Sequence, residues 1–361
     1  MRKILATAIP ILLAITACTS NYGGDYTITV NFADDAINGH QLYLTSYDSG
    51  DTIDSVPIAN RAATLKGSVD TAYVARLIVD GKREAIVVES GEITVDWANH
   101  TSGGATLNDK FQELNTRLNA IESEYDKITE DFNKKLITEE QANEKGRDIQ
   151  RRLDAELKKA YDENRDNAIG PWALNNWLID QDFTGAQIDS LLATAPAHYK
   201  TMKRMVKAKN DAVAKESTAV GKHFTDFEVI SPAGEKQRLS DFAGNGDVIV
   251  LDFWASWCGP CRVEIEKSLK PIYKKYGDKG LKVVGLAVWD KPADTMDAID
   301  RLEIPWPVII GNHYMTEQTD LYGVAGIPHI IVIDGDGTIV ARGLNGEDLI
   351  RYVDDLMNVN N

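Results

Sequence analysis

Cysteine is scarce: Cys18, Cys258 and Cys261 are the only three in 361 residues. Three cannot make a disulfide scaffold, so each needs its own reading. The six histidines (40, 100, 198, 223, 313 and 329) are scattered without ligand spacing, which argues against a zinc centre. Positive charge is the minority, with 39 Lys+Arg against 55 Asp+Glu and a net charge of −16. A body so acidic, with no basic stripe, repels phosphate backbones and excludes nucleic acid as a partner. No run of about 20 apolar residues follows the first segment, so no spanning helix is expected there. The composition is otherwise that of a globular chain, and the length predicts two or three domains.

What is present begins with an address. Arg2-Lys3 and the apolar stretch Ile4–Ala14 have the form of a secretory signal over 1–17, too short to be a permanent membrane helix. It ends in Ile15-Thr16-Ala17-Cys18, which resembles the bacterial lipobox. That resemblance implies that Cys18 carries the lipid and that 18–25 is an anchored linker. The cell envelope is the expected location. Thr19 stands where an acidic residue retains many such proteins at the inner membrane, which favours an outer-membrane, periplasm-facing anchor.

Residues 26–108 read as a β-rich, sandwich-like domain. Tyr26–Phe32, Gln41–Thr45 and Ile93–Trp97 alternate with period two. Tyr73–Val79 and Ala85–Val88 are β-branched runs, with turns at Asp80-Gly81 and Ser90-Gly91. From 109 to 217 the period changes. Phe111, Leu114, Leu118, Ile121, Tyr125, Ile128 and Phe132 form a heptad seam. Thr138-x-x-Gln141 and Thr184-x-x-Gln187 are capping boxes, and Gly170-Pro171 breaks the helical pattern. The seam closes a hairpin within the chain or, alternatively, pairs two chains as a homodimer. Residues 218–361 alternate strand and helix: Val248–Trp254, Leu281–Val288, a helix near 293–302, His329–Asp334, Thr338–Arg342 and a closing helix.

The chemistry sits where the first of these strands ends. Trp254-Ala255-Ser256-Trp257 runs into Cys258-Gly259-Pro260-Cys261 at the start of a helix. A zinc site needs two more soft or imidazole ligands, and no cysteine remains to supply them. A structural disulfide closing so small a loop removes little chain entropy. Redox chemistry is the reading left. Free amides and the helix dipole at a helix N-terminus stabilise an anion, which lowers the pKa of Cys258 and makes it the nucleophile. Cys261, one turn further in, is placed to resolve the mixed disulfide. Gly259-Pro260 adds no charge, so the pair is expected to be reducing rather than strongly oxidising. Asp252 interrupts an apolar strand, and a buried carboxylate there invites a proton-transfer role.

The stretch Asp252–Cys261, with Gly221-Lys-His-Phe-x-x-Phe227 and Leu239-Ser-Asp-Phe-x-Gly244, resembles the thioredoxin superfamily, specifically the membrane-tethered TlpA/ResA-like thiol–disulfide oxidoreductases. The likeness covers about 220–358. Residues 26–108, with Glu89-Ser-Gly-Glu-Ile-Thr-Val95 and Leu107-Asn108, are similar to the β-rich domain that precedes such modules. The expected fold is therefore multidomain: an all-β domain, a helical middle segment and a C-terminal α/β thioredoxin fold. The resemblance implies Asp252 as proton acceptor from Cys261 and Ile327-Pro328 as a cis-proline loop that pairs with substrate. Trp257, Gly259 and Pro260 line the groove. No cofactor beyond the Cys258–Cys261 disulfide is implied. The implied partners are disulfide-containing envelope proteins and a membrane thiol-electron donor.

Some positions depart from the pattern. His329 replaces a threonine; it reads as a packed or solvated side chain, with tuning of Cys258 from beside the dithiol as the alternative. Glu264 and Glu266 would oppose a thiolate. Two other functions compete: a binding or surface-interaction lipoprotein, and a peroxiredoxin-like peroxidase. The peroxidase needs Thr or Ser where Ala255 stands.

Overall fold

The computed structural model of the chain describes residues 22–179, 181–312 and 314–359. The expected signal segment 1–17 and Cys18, the expected lipidation residue, lie outside the described residues. Among those described, no helix is long and apolar enough to cross a membrane. The chain forms two compact units: one holds residues up to Gln181 with Ala195–Arg204, the other Asp182–Thr194 with Met205 onward.

The first unit opens with eight strands: β1 (Gly24–Asn31), β2 (Gln41–Ser46), β3 (Thr52–Pro57), β4 (Ala62–Val69), β5 (Tyr73–Val79), β6 (Lys82–Val88), β7 (Gly91–Asp96) and β8 (Thr101–Gly103). They make two four-stranded sheets, β4-β1-β7-β8 and β3-β2-β5-β6. Period two explains the layering. Ile28 and Val30 point inward from one sheet, Leu42, Leu44 and Leu77 from the other, and they share one core. β3 and β4 are the edge strands of the two sheets and are largely polar: β3 has no buried residue, and β4 sends only Ala63 and Leu65 into the core.

Four helices follow in this unit: α1 (Thr106–Glu122), α2 (Glu124–Asn133), α3 (Glu139–Glu163) and α4 (Ile169–Ile179). The heptad seam is not one continuous stripe. Phe111, Leu114 and Leu118 are buried, but the helix breaks at Ser123, whose hydroxyl bonds back to the Ala120 carbonyl at 2.9 Å. Beyond the break Tyr125 and Phe132 are exposed. Thr138 caps α3 in both directions, its hydroxyl accepting from Gln141 N–H and its own N–H donating to the Gln141 side chain. Pro171 does not end a helix. It sits in the first turn of α4, where its missing N–H costs nothing.

The two layers of this unit are tied by Glu89, a buried carboxylate at the N-terminus of α1. It accepts from Leu107 N–H at 2.7 Å and Asn108 N–H at 2.8 Å. Asn108 in turn bonds both polar groups of Val87 on β6. Replacing Glu89 by alanine strands two buried helix amides. The expected loss is about 3 kcal/mol in the unfolding free energy of this unit. Glu89→Gln, which keeps the single oxygen that accepts both bonds, should lose less. Urea titration of both variants checks the order, and equal stability of Glu89→Ala and the parent would rule the tie out.

The expected helical segment 109–217 is shared out, because α5 (Gly185–Ala193) and most of α6 (Lys203–Ser217) cluster with the second unit. That unit continues with β9 (Glu228–Ile230), β10 (Lys236–Arg238), β11 (Val248–Trp254), α7 (Gly259–Glu264), α8 (Lys270–Tyr276), β12 (Leu281–Ala287), α9 (Pro292–Arg301), β13 (Val308–Ile309), α10 (Thr316–Tyr322), β14 (His329–Ile333), β15 (Ile339–Arg342) and α11 (Gly346–Val359). Its five-stranded sheet runs β13-β12-β11-β14-β15, with β11 parallel to β12 and antiparallel to β14.

All seven residues of β11 are buried, as a central strand covered on both faces requires. Val248, Val250 and Trp254 face Ile265, Leu269, Leu349 and Val353. Ile249, Leu251 and Phe253 face Leu239 and Tyr322 on the other side. This alternation decides which side chains reach the site.

Candidate active site

β11 delivers the chain from the middle of the sheet to a short turn, Ala255-Ser256-Trp257, and then to a helix. Cys258 caps α7, Pro260 occupies its first turn, and Cys258 and Cys261 are joined as a disulfide. Cys261 N–H donates to the Cys258 sulfur at 3.1 Å, so the helix start presents a backbone donor to the atom that would carry negative charge after reduction. Both cysteines are buried in this oxidised form, whereas Trp257 beside them is 57% exposed. Gly259 is half-buried and Pro260 exposed, so the turn offers an accessible edge. Past α7 the helix widens into a π turn, Ile265–Leu269, before α8.

Asp252 lies two residues before Trp254 on the same face of β11, the face against which α7 and both cysteines pack. It is 1% exposed, and burial pushes its pKa up to about 8, with the Glu264 carboxylate adding to the rise. Its Oδ1 has no hydrogen-bond partner among the described residues. A carboxyl in that position is protonated through most of the neutral range and is matched to exchanging a proton there.

The two glutamates after the motif have separate surroundings. Glu264 is buried and accepts from Gly346 N–H at 2.9 and 3.1 Å, holding the start of α11. Its charge bears on Asp252. Glu266 pairs with Lys270 at 2.6 Å on the surface.

His329 is not beside the dithiol. It pairs across the sheet with Phe253, so its ring joins Phe253 on the face opposite Asp252 and the cysteines, with ring centroids 6.1 Å apart. Burial first, then Arg342 and Lys215, lowers its pKa to about 4, so it stays a neutral, packed side chain. The residues just before it approach the site through the backbone. The Ile327–Pro328 bond is cis, both residues are half-buried, and they precede the strand that pairs with the end of β11 leading to Cys258.

Sequence reasoning missed Asp290, at the end of β12. It reaches Ser256 from 34 residues away, a pairing that only the parallel register of β11 and β12 brings about. Its one sequence signal was an acidic residue at the carboxyl end of a buried strand, just ahead of Pro292. No cluster of His, Cys, Asp and Glu able to hold a metal occurs among the described residues.

Comparison with known proteins matches these regions. Residues 219–356 fit the Redoxin family model, and residues 26–111 fit a domain of unknown function, DUF4369. Thiol-disulfide oxidoreductase ResA of Bacillus thuringiensis (strain Al Hakam) is 31% identical over 128 residues, covering 36% of this chain and 71% of that protein. ResA of Geobacillus kaustophilus (strain HTA426) is 29% identical over 147 residues, covering 39% of this chain and 80% of that protein. Among solved structures, the thioredoxin domain of a thiol–disulfide oxidoreductase from Bacteroides vulgatus is 30% identical. It covers 39% of this chain and 99% of that one, with a TM-score of 0.36. With a buried cysteine pair at a helix start and a relative of this similarity, the chain belongs to the ResA/TlpA-like thiol–disulfide oxidoreductases of the thioredoxin superfamily.

Proposed function

We propose that the chain reduces disulfides of other proteins in the cell envelope through Cys258 and Cys261, held there by a lipid on Cys18. The observation that carries the redox part is the cysteine pair itself, closed as a disulfide at a helix start, on the face of β11 that carries the buried Asp252. The lipobox-like Ile15-Thr16-Ala17-Cys18 supports the anchor. Disulfide-containing envelope proteins are the proposed substrates, and a membrane thiol the proposed electron donor.

In the reduced chain the Cys258 thiolate attacks one sulfur of a substrate disulfide. A mixed disulfide forms and the other substrate sulfur leaves as a thiolate that takes up a proton. Asp252 then accepts the Cys261 proton, and the Cys261 sulfur attacks Cys258. The second substrate sulfur leaves and is protonated, and the Cys258–Cys261 disulfide is restored. Two electrons and two protons have passed to the substrate. A thiol donor returns the pair to the dithiol by the reverse exchange. The backbone at Ile327–Pro328 lies along the path an extended substrate strand would take, and Trp257 offers an apolar rim.

Insulin reduction in the presence of dithiothreitol tests this directly. The purified chain should accelerate precipitation of the insulin B chain. Its dithiol should also titrate against glutathione as a reducing couple, with a midpoint below about −200 mV. No acceleration, together with no measurable midpoint, would remove the proposal.

A further inference from the structure

Asp290 is a buried carboxylate, 7% exposed, whose two oxygens accept four hydrogen bonds. Oδ2 takes the Ser256 N–H at 2.6 Å and the Thr295 hydroxyl at 3.0 Å. Oδ1 takes the Ser256 hydroxyl at 3.0 Å and the Lys291 N–H at 2.9 Å. Two of the four donors therefore belong to Ser256, two residues before the first cysteine. Bonds to an ionised acceptor are the strong ones, and four of them leave this carboxylate little freedom.

The same two loops are joined twice more. Val288 N–H donates to the Trp254 carbonyl, and the Trp257 indole donates to the Trp289 carbonyl, both at 3.0 Å. Trp289 has φ of 53°, a left-handed backbone that a bulky residue holds only when its surroundings compel it. From the other side, the Arg262 guanidinium donates to the Ser256 carbonyl at 3.2 Å. The N–H, hydroxyl and carbonyl of Ser256 are thus all engaged, although the residue lies in a turn outside any helix or strand.

The geometry points to Asp290 as a positioning residue for disulfide exchange: acting through Ser256, it fixes the Trp257–Cys258 segment and so the line along which the Cys258 sulfur meets its target. This rests on the oxidoreductase reading above. Exchange needs three sulfurs nearly in line, and small misplacements of a reacting atom are expensive in rate. A second role for Asp290 would have the opposite sign. If it acted only as a negative charge near Cys258, neutralising it would favour the thiolate and speed attack. As a positioning group, neutralising it slows the reaction.

Four variants of the full chain decide between these: Asp290→Asn, Ser256→Ala, Ser256→Thr and the double Asp290→Asn/Ser256→Ala. Each is measured for kcat and KM in disulfide reduction, for the Cys258 titration by thiolate absorbance, and for thermal unfolding. Asparagine keeps one acceptor oxygen and turns an amide toward the other pair of donors, so one of the two backbone bonds, from Ser256 N–H or Lys291 N–H, is lost and the carboxylate clamp is broken. Asp290→Asn should lose about tenfold in kcat with little change in KM. Ser256→Ala should lose a smaller factor in the same parameter, and Ser256→Thr, which keeps the hydroxyl, should stay within about twofold of the parent. The double variant should be no slower than Asp290→Asn alone, because both substitutions break one link.

An Asp290→Asn chain as fast as the parent or faster overturns the inference, as do multiplying losses in the double variant. If Asp290→Asn does not fold, Ser256→Ala decides, and parental kcat there overturns it. A parent chain that reduces no disulfide overturns the functional proposal and this inference together. An active parent with unaffected variants overturns this inference alone.

Discussion

A Cys261→Ser chain will keep hold of what it attacks. With Cys258 intact, the first exchange proceeds and a mixed disulfide forms. With no second sulfur to resolve it, the adduct persists and turnover falls by about a thousandfold or more. Cells expressing this variant should show high-molecular-weight species on non-reducing gels that collapse on reduction, and their cysteine-containing partners identify the substrates. The Cys258→Ser counterpart should retain nothing, because Cys261 is 1% exposed beneath Cys258 and the helix start favours the first sulfur. Equal capture by both variants would mean that Cys258 is not the attacking residue.

Replacing Asp252 by asparagine should yield a sturdier protein and a poorer catalyst. Burial raises the Asp252 pKa from an ordinary 3.8 to about 8. Below about pH 4 the carboxyl is protonated whether the chain is folded or not, and the group contributes nothing. Between pH 4 and 8 the unfolded chain releases the proton while the folded chain keeps it, so stability falls as pH rises and levels off above pH 8. At pH 7 that is roughly three pH units at about 1.4 kcal/mol each, a penalty on the order of 4 kcal/mol. Asparagine cannot ionise, so Asp252→Asn should gain stability at pH 7 to 8 and almost none near pH 4, as read from urea midpoints across pH. On the proposed mechanism the same variant loses the proton acceptor for Cys261. Its rate should drop about a hundredfold at pH 7 and lose the rise that the parent shows as pH approaches 8. A stability gain that does not depend on pH would contradict the buried ionisation.

The redox module was readable because its signals are local. Val248–Trp254 is an unbroken apolar run save for Asp252, and the two cysteines lie three residues apart at a helix start. The strands of the first unit could be traced where alternation is strong, as in β1 and β7, and not where edge strands are largely polar, as in β3 and β4. Distance in the chain and sheet register set the other limits. Ser256 and Asp290 meet only once β11 and β12 lie parallel. For His329 a packed side chain and a place beside the dithiol could not be told apart until its pairing with Phe253 turned it to the far face. The heptad seam was legible as a periodicity but not as a contact surface, since the periodicity runs on through the break at Ser123, past which Tyr125 and Phe132 are exposed.

The placement of α6 bears on anyone who would work with an isolated redox fragment. The Redoxin match begins at residue 219, yet the compact unit around it reaches back to Asp182. A fragment begun at 219 would strip Lys207 from Asp320, and Asp211 and Lys215 from Gly323, where their backbone packs so tightly that a methyl group would not fit. It would also take away the Thr218 carbonyl and hydroxyl that receive the largely buried Arg342 guanidinium, leaving that cation the Tyr322 carbonyl. Such a truncation would leave Arg342 short of two acceptors and bare the notch at Gly323, and should unfold at a lower temperature than the longer piece.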